Sequence, residues 1–179
     1  YIAGVNDHIW PYSAAEKVVE SGKKIYLSMS AEKDLILIKP DAVQRSLTGR
    51  IITRFENRGL KMVAAKHLLA DEELAQEHYS EHVGKPFFKD LIEYITSSPI
   101  IAMVLEGNNA VHVARQTIGA TDPKEASPGT IRGDYGIDLG RNLVHGSDSV
   151  DSAKREINIF FSSEQINVWT RSNEQWIRE

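Results

Sequence analysis

Two short, unbroken apolar runs constrain this chain more than any other feature. The stretch "DLILIKPD" carries Leu35 to Ile38 and stops at Pro40, and "PIIAMVLEG" carries Ile100 to Leu105. Each is far below the roughly 20 apolar residues of a membrane-crossing helix and has the length of a buried strand. Pro40 holds the preceding Lys39 in extended backbone, so Lys39 emerges at the end of the first strand. "TGRIITRFENRG" places Ile51, Ile52 and Phe55 on one helical face, with Arg54 and Arg58 near the C-terminal dipole and Gly59 as the stop. "LKMVAAKHLLA" predicts a second strand. "DEELAQEHYSEHVGKPFFKDLIEYITSS" predicts two short helices broken at Gly84-Lys85-Pro86, and "NNAVHVARQTIG" a helix closed by Gly119. "LVHGSDS" reads as a short fourth strand running into the helix "VDSAKREINIFF", with Ser149 as its N-cap. The order of strands and helices is that of a split βαβ, ferredoxin-like α/β (α+β) fold: a four-stranded antiparallel sheet with helices packed on it.

Residues 1–33 differ in character from the remainder of the chain. "WPYSAAEKVVESGKK" carries a capping box, Ser13 with Glu16, and a stop at Ser21-Gly22. The expected organisation is an N-terminal extension of unknown role, 1–33, followed by one domain, 34–179. Hydrophobic content of 41% and charged content of 26% fit a globular chain, and a net charge of −4 argues against nucleic acid as a partner. The chain has no cysteine, which removes disulfides, thiolate metal sites and a cysteine nucleophile. The first residues lack both a basic start and a long apolar run, so no secretory signal and no membrane partner are expected. Cytoplasmic residence is the default.

One segment escapes the periodic pattern. From Ala120 to Asn142 the chain reads "ATDPKEASPGTIRGDYGIDLGRN", with four glycines, and is expected to be a long functional loop without elements of its own. Side chains with phosphate-binding chemistry collect here and at the strand ends: Lys39, Arg115, Thr121, Arg132, Arg141 and Asn142. Arginine forks suit phosphate oxygens, lysine supplies a point charge, and Thr and Asn add neutral hydrogen bonds. Taken singly each is a surface charge; together they suggest a polyphosphate site. Neither G-x-x-x-x-G-K-[ST] nor G-x-G-x-x-G is present, so such a site must be built from side chains.

It would also contain a histidine. His145 ends a short apolar run directly before Gly-Ser-Asp-Ser. A histidine accepts a phosphoryl group on one ring nitrogen when the other is held by an acceptor that fixes the tautomer. Glu156 is a candidate holder, because Val150, Ala153, Ile157, Phe160 and Phe161 form the buried face of its helix and Glu156 lies at the edge; from position alone it is equally a plain exposed carboxylate. Phe87 falls beside the stripe of Phe88, Leu91, Ile92 and Ile95. Pattern leaves two readings open, a ring packed under the helix hairpin or one free to stack on a nucleobase.

The segments "IKPDAVQR", "HYSEHVGKPFF", "TIGATDP", "PGTIRGDYG" and "GRNLVHGSDS" together resemble the nucleoside diphosphate kinase family, over essentially all of Asp34 to Glu179. The resemblance implies ping-pong γ-phosphoryl transfer from nucleoside triphosphates to diphosphates (ATP, ADP, GTP, GDP and deoxy forms) through a phosphohistidine, with broad base specificity. It implies His145 as nucleophile, Glu156 and Ser147 as its orienting partners, and Tyr79 as the hydroxyl beside the reacting phosphoryl. It likewise implies Arg115, Thr121 and Arg132 on the phosphates, Lys39 and Asn142 on ribose hydroxyls and phosphates, and Phe87 with Leu139 as a clamp on the base. Mg2+ would arrive on the nucleotide, with Asp148 touching its water shell. Departures are mild: Ala42 stands where many members have glycine, and Tyr135-Gly136 replaces a bulkier pair. A homo-oligomer, a hexamer built from dimers, is expected, with the tail "RSNEQWIRE" burying Trp176 and Ile177. Two other classes stand beside this one: a ferredoxin-like binding module without kinase activity, and a protein histidine phosphotransfer module.

Overall fold

The structure is a computed structural model and describes residues 31–177; the expected capping box at Ser13 and Glu16 lies outside the described residues. Four strands, β1 (Glu32–Ile38), β2 (Lys61–Leu68), β3 (Ile100–Gly107) and β4 (Val144–Gly146), form one antiparallel sheet in the order β2-β3-β1-β4. The helices are α1 (Pro40–Gln44), α2 (Thr48–Asn57), α3 (Glu72–His78), α4 (Phe88–Thr96), α5 (Ala110–Ile118), α6 (Ile131–Tyr135) and α7 (Val150–Phe160). The ferredoxin-like order expected from the sequence is the order found. No helix among the described residues is long and apolar enough to cross a membrane.

The apolar runs in β1 and β3 are unbroken because both sheet faces are covered. Leu35, Leu37, Ala102 and Val104 face a core closed by α3, α4 and α7 through Ala75, Ile92, Ile95, Ile157 and Phe160. Their alternates Ile36, Ile38, Met103 and Leu105 face α2 and α5 through Ile51, Phe55, Ala110 and Ala114. β4 has three residues and pairs only with β1, setting His145 opposite Leu37 and Gly146 opposite Ile36.

Several local expectations change. Pro40 ends β1 and also starts α1, where a proline at the first helical position loses no hydrogen bond. The loop 120–142 has structure of its own. Asp122 caps a 3-10 turn at Pro123–Glu125 by accepting from Lys124 N, and Thr130 caps α6 by accepting from Gly133 N. α5 ends at Gly119, whose φ of +90° and contact with Thr130 exclude a side chain. Val150, the first residue of α7, is exposed rather than part of its core face. The tail is tied to its own chain: Asn167 N donates to Val63 O, Lys61 Nζ to Trp169 O, and Arg171 to the carbonyls of Gly59 and Leu60. Trp176 is nonetheless 81% exposed.

Candidate active site

β4 carries His145 to the sheet end where β1 delivers Lys39 and where the loop 120–142 folds back. A cleft of about 1150 Å³ opens there. Its wall includes Lys39, Tyr79, Phe87, Arg115, Thr121, Arg132, Leu139, Arg141, Asn142, His145, Asp148 and Glu156, so that twelve of the thirteen sequence-derived candidates meet in one place. Ser147 is the thirteenth and lies buried behind it.

His145 Nε2 and Glu156 Oε2 are 2.8 Å apart, and Ser147 Oγ donates to the same oxygen at 2.8 Å. Glu156 is only 5% exposed, which settles its position at the helix edge as an inward one. Burial pushes its carboxyl up, but the hydrogen bond and charge of His145, then Ser147 and Arg155, outweigh burial and hold it below the ordinary range. An ionised Glu156 has no proton to give. The proton between the pair therefore belongs to Nε2, so that Nδ1 is the nitrogen that carries the lone pair whenever the ring is neutral.

The cationic wall is preorganised. Lys39 Nζ donates to Asn142 Oδ1 at 2.7 Å, and Asn142 Nδ2 donates to Thr121 O at 3.0 Å. Burial first, and the charge of Arg132 second, lower the Lys39 ammonium to about 8. Arg132 donates Nε to Asn142 O, Nη1 to the carbonyls of Gly119 and Ala120, and Nη2 to Val144 O. Those bonds occupy all but one of its N–H groups, so it offers the cleft a fixed charge and a single donor rather than a free fork. Burial, then Arg115, lowers it to about 10. Arg115 is exposed and donates to Gly146 O at 3.4 Å.

Phe87 is 49% exposed at the mouth, which decides between its two readings in favour of an available ring. Leu139 is 55% exposed on the same cleft. Tyr79 is buried, and its hydroxyl has no hydrogen-bond partner among the described residues; burial, then the Glu156 charge, raises its pKa. Asp148 stands exposed on the wall, held below its usual range chiefly by the Ser152 hydroxyl.

Two participants were not foreseen. His78 is buried with its ring edge-on to His145, centroids 4.7 Å apart, and contacts Tyr79 and Phe160. Burial, then the charges of His145 and Arg155, lowers it to about 2, so it is a neutral wall for the His145 ring. Its position ahead of Tyr79 in "EHYSEH" was the available signal. Asp34, at the start of β1, accepts the backbone N–H of Ser147 at 3.1 Å. His78, His145 and Glu156 are the one group among the described residues with metal-ligand chemistry, but their ligand atoms spread up to 4.8 Å. That is wider than one ion spans with bonds of about 2.0–2.2 Å.

A family model described as nucleoside diphosphate kinase matches residues 32–166. Nucleoside diphosphate kinases from Staphylococcus saprophyticus and Archaeoglobus fulgidus are each 55% identical over 148 residues, covering 83% of this chain and 99% and 98% of the relatives. The solved nucleoside diphosphate kinase of Halobacterium salinarum, in complex with CDP, superposes with a TM-score of 0.81 at 52% identity, covering 83% of this chain and 99% of that one.

Proposed function

The chain belongs to the nucleoside diphosphate kinase family, and on that premise we propose that it moves the γ-phosphoryl group of a nucleoside triphosphate to a nucleoside diphosphate in two half-reactions. The observation that carries the reading is the 2.8 Å bond from His145 Nε2 to Glu156 Oε2, which leaves Nδ1 as the nucleophile. In the first half-reaction the Nδ1 lone pair forms an N–P bond, the bond from phosphorus to the β,γ-bridging oxygen breaks, and the diphosphate departs. In the second, a terminal oxygen of the new diphosphate attacks phosphorus, and the N–P electron pair returns to Nδ1. Throughout, Nε2 keeps its proton and Glu156 faces the imidazolium charge that phosphorylation creates.

Lys39, Arg115, Thr121 and Arg132 would hold phosphates, with Lys39 and Asn142 also reaching the ribose hydroxyls. The Tyr79 hydroxyl, without a hydrogen-bond partner among the described residues, would meet the reacting phosphoryl group. Phe87 and Leu139 would hold the base by stacking and apolar contact, which fits ATP, GTP, their diphosphates and deoxy forms alike. The relative solved with CDP supports pyrimidine acceptance. Mg2+ takes oxygen ligands, and the exposed Asp148 carboxylate on the wall, held below its usual range, would meet the ion's water shell, without a preassembled oxygen cage among the described residues. The fit is to an ion carried by the nucleotide, which would neutralise phosphate charge.

The kinase unit begins with β1 at Glu32, two residues before the boundary expected from the sequence, so the extension is residues 1–31. A hexamer is the assembly most consistent with an exposed Trp176 and Val168 on a tail tied to the domain. Cytoplasmic residence is part of the same reading and is tested by fractionation. The decisive experiment incubates the protein with γ-labelled ATP. It should yield an acid-labile, base-stable phosphoprotein that GDP discharges, and His145→Ala should abolish both steps. Labelling that survives in the variant sinks the assignment.

A further inference from the structure

The relay of His145, Glu156 and Ser147 rests on a buried acid that the mechanism above leaves unused. Asp34 is 0% exposed, and its two oxygens are unequal. Oδ1 accepts the Ser147 backbone N–H at 3.1 Å, while Oδ2 has no hydrogen-bond partner among the described residues. Oδ2 lies against Gly146, where a side-chain carbon would fall 3.6 Å from it and 2.7 Å from Ile118. The Ser147 hydroxyl is close enough to interact with the same carboxyl while donating to Glu156.

That geometry makes the ionisation of Asp34 consequential. Ser147 has one hydroxyl proton. An ionised Asp34 would compete with Glu156 for it; a protonated Asp34 cannot, and has instead a proton for the Ser147 lone pairs. The groups around Asp34 oppose ionisation. Burial is the largest influence, offset in part by Ser147, and reinforced by Glu156 from α7 and Glu32 on its own strand; together they push the carboxyl up to about 8. β3 presents apolar Leu105 opposite, and from α5 Arg115 is engaged with Gly146 O.

We propose that Asp34 is a positioning residue for the phosphoryl-accepting histidine: from β1 it fixes Ser147, and through Ser147 it fixes the Glu156 carboxylate that sets the tautomer and angle of the His145 ring. The proposal rests on the phosphohistidine reading. In its protonated form Asp34 leaves the whole Ser147 hydrogen bond to Glu156. Ionisation draws that bond away and places a second anion behind the relay, so turnover declines on the alkaline side.

The test compares the unsubstituted protein with Asp34→Asn and Asp34→Leu. Asparagine keeps an acceptor for Ser147 N–H and cannot ionise; leucine removes the acceptor. Steady-state kcat and KM are measured from about pH 6 to about pH 9.5, with the rate of single-turnover phosphorylation by ATP, and with light scattering to confirm folding and assembly. Asp34→Leu is expected to lose about tenfold in kcat and in phosphorylation rate with nucleotide KM unchanged. Asp34→Asn should turn over several-fold faster than the leucine variant. It should also lack the alkaline decline that the unsubstituted protein shows around pH 8, a comparison that removes the parallel titration of Lys39. A folded Asp34→Leu with unaltered kcat overturns the proposal, as does an asparagine variant with an unchanged alkaline limb. If the leucine variant does not fold, the asparagine profile decides alone. Absence of labelling in the unsubstituted protein would instead overturn the phosphohistidine reading itself.

Discussion

Replacing Asp34 by asparagine gives a prediction about stability that is separate from its kinetic one. Burial lifts this carboxyl from an ordinary 3.8 to about 8 in the folded chain. The folded state therefore keeps a proton that the unfolded state releases. Its contribution to stability is fully present below pH 3.8, falls as pH rises toward about 8, and is flat beyond. Each unit of difference is about 1.4 kcal/mol, so a window of about four units amounts to at most roughly 5–6 kcal/mol, and about 4 kcal/mol is already lost at pH 7. Asparagine does not titrate and escapes this loss, although a buried amide with an unmatched donor costs about 1–3 kcal/mol at every pH. The slope is therefore diagnostic, whereas the offset is not. Urea unfolding at several pH values and one fixed protomer concentration, because assembly adds stability by mass action, should show the variant gaining on the unsubstituted protein by about 1.4 kcal/mol per unit between about pH 4 and 8. A difference independent of pH, or one in which the aspartate gains as pH rises, would refute the reasoning by showing that Asp34 is ionised and stabilised in the fold.

Other expectations rest on the site itself. Glu156→Gln keeps an acceptor for Nε2 but removes the charge facing the phosphoimidazolium; a charged hydrogen bond of about 1.5–3 kcal/mol implies a loss of roughly 10- to 150-fold in kcat, read by stopped-flow phosphorylation, with KM little altered. Phe87→Ala should raise KM for purine and pyrimidine diphosphates together, since stacking of roughly 1–3 kcal/mol does not read base edges. A preference above about 1,000-fold among bases in the unsubstituted protein, roughly 4 kcal/mol, would contradict this. Light scattering should give about 120 kDa, six chains of 20.1 kDa. Removing 173–179 should lower Tm and loosen that assembly, and a mass near 40 or 80 kDa for the intact protein excludes the hexamer.

What the sequence disclosed, and what it withheld, divides along physical lines. β1, β3, α2 and α5 were legible because their apolar spacing repeats over enough residues to define a face, and Gly59 and Gly119 mark where two helices stop. α6 was not, because "IRGDY" has five residues, a glycine and no repeat, and its stability comes from the Thr130 cap and the buried Ile131. The candidate residues converge because each sits where an element ends at one edge of the sheet. His78 was hidden for the opposite reason. A histidine in the last turn of a helix ordinarily serves the dipole from solvent, and only the packing of α3 beside α7 buries it. Asp34 follows Glu32 and Lys33, so it reads as the last polar residue before a strand. It is buried with Leu105 of β3 opposite and Gly146 and Ser147, at the end of β4, against its carboxyl, and such partners are not written in local pattern.

The electrostatic plan of the cleft explains why an acid at Asp34 must stay neutral. At one end Lys39 and Arg132 are buried cations, each held below its ordinary pKa by burial and Arg132 facing Arg115 as well. Both are fixed by carbonyl or amide oxygens, so under the proposed mechanism they would meet phosphate without reorganising. At the other end, under the proposed mechanism, the His145 ring would become a cation on accepting the phosphoryl group, and one carboxylate, Glu156, 2.8 Å away, would supply the counter-charge. A second carboxylate behind Ser147 would overcompensate, take the Ser147 proton and loosen the bond that fixes the ring. Two carboxyl groups on one serine, one ionised and one protonated, keep a single negative charge at the histidine. The stability lost by burying Asp34 is of the kind proteins tolerate where a local rule is broken for the sake of a site.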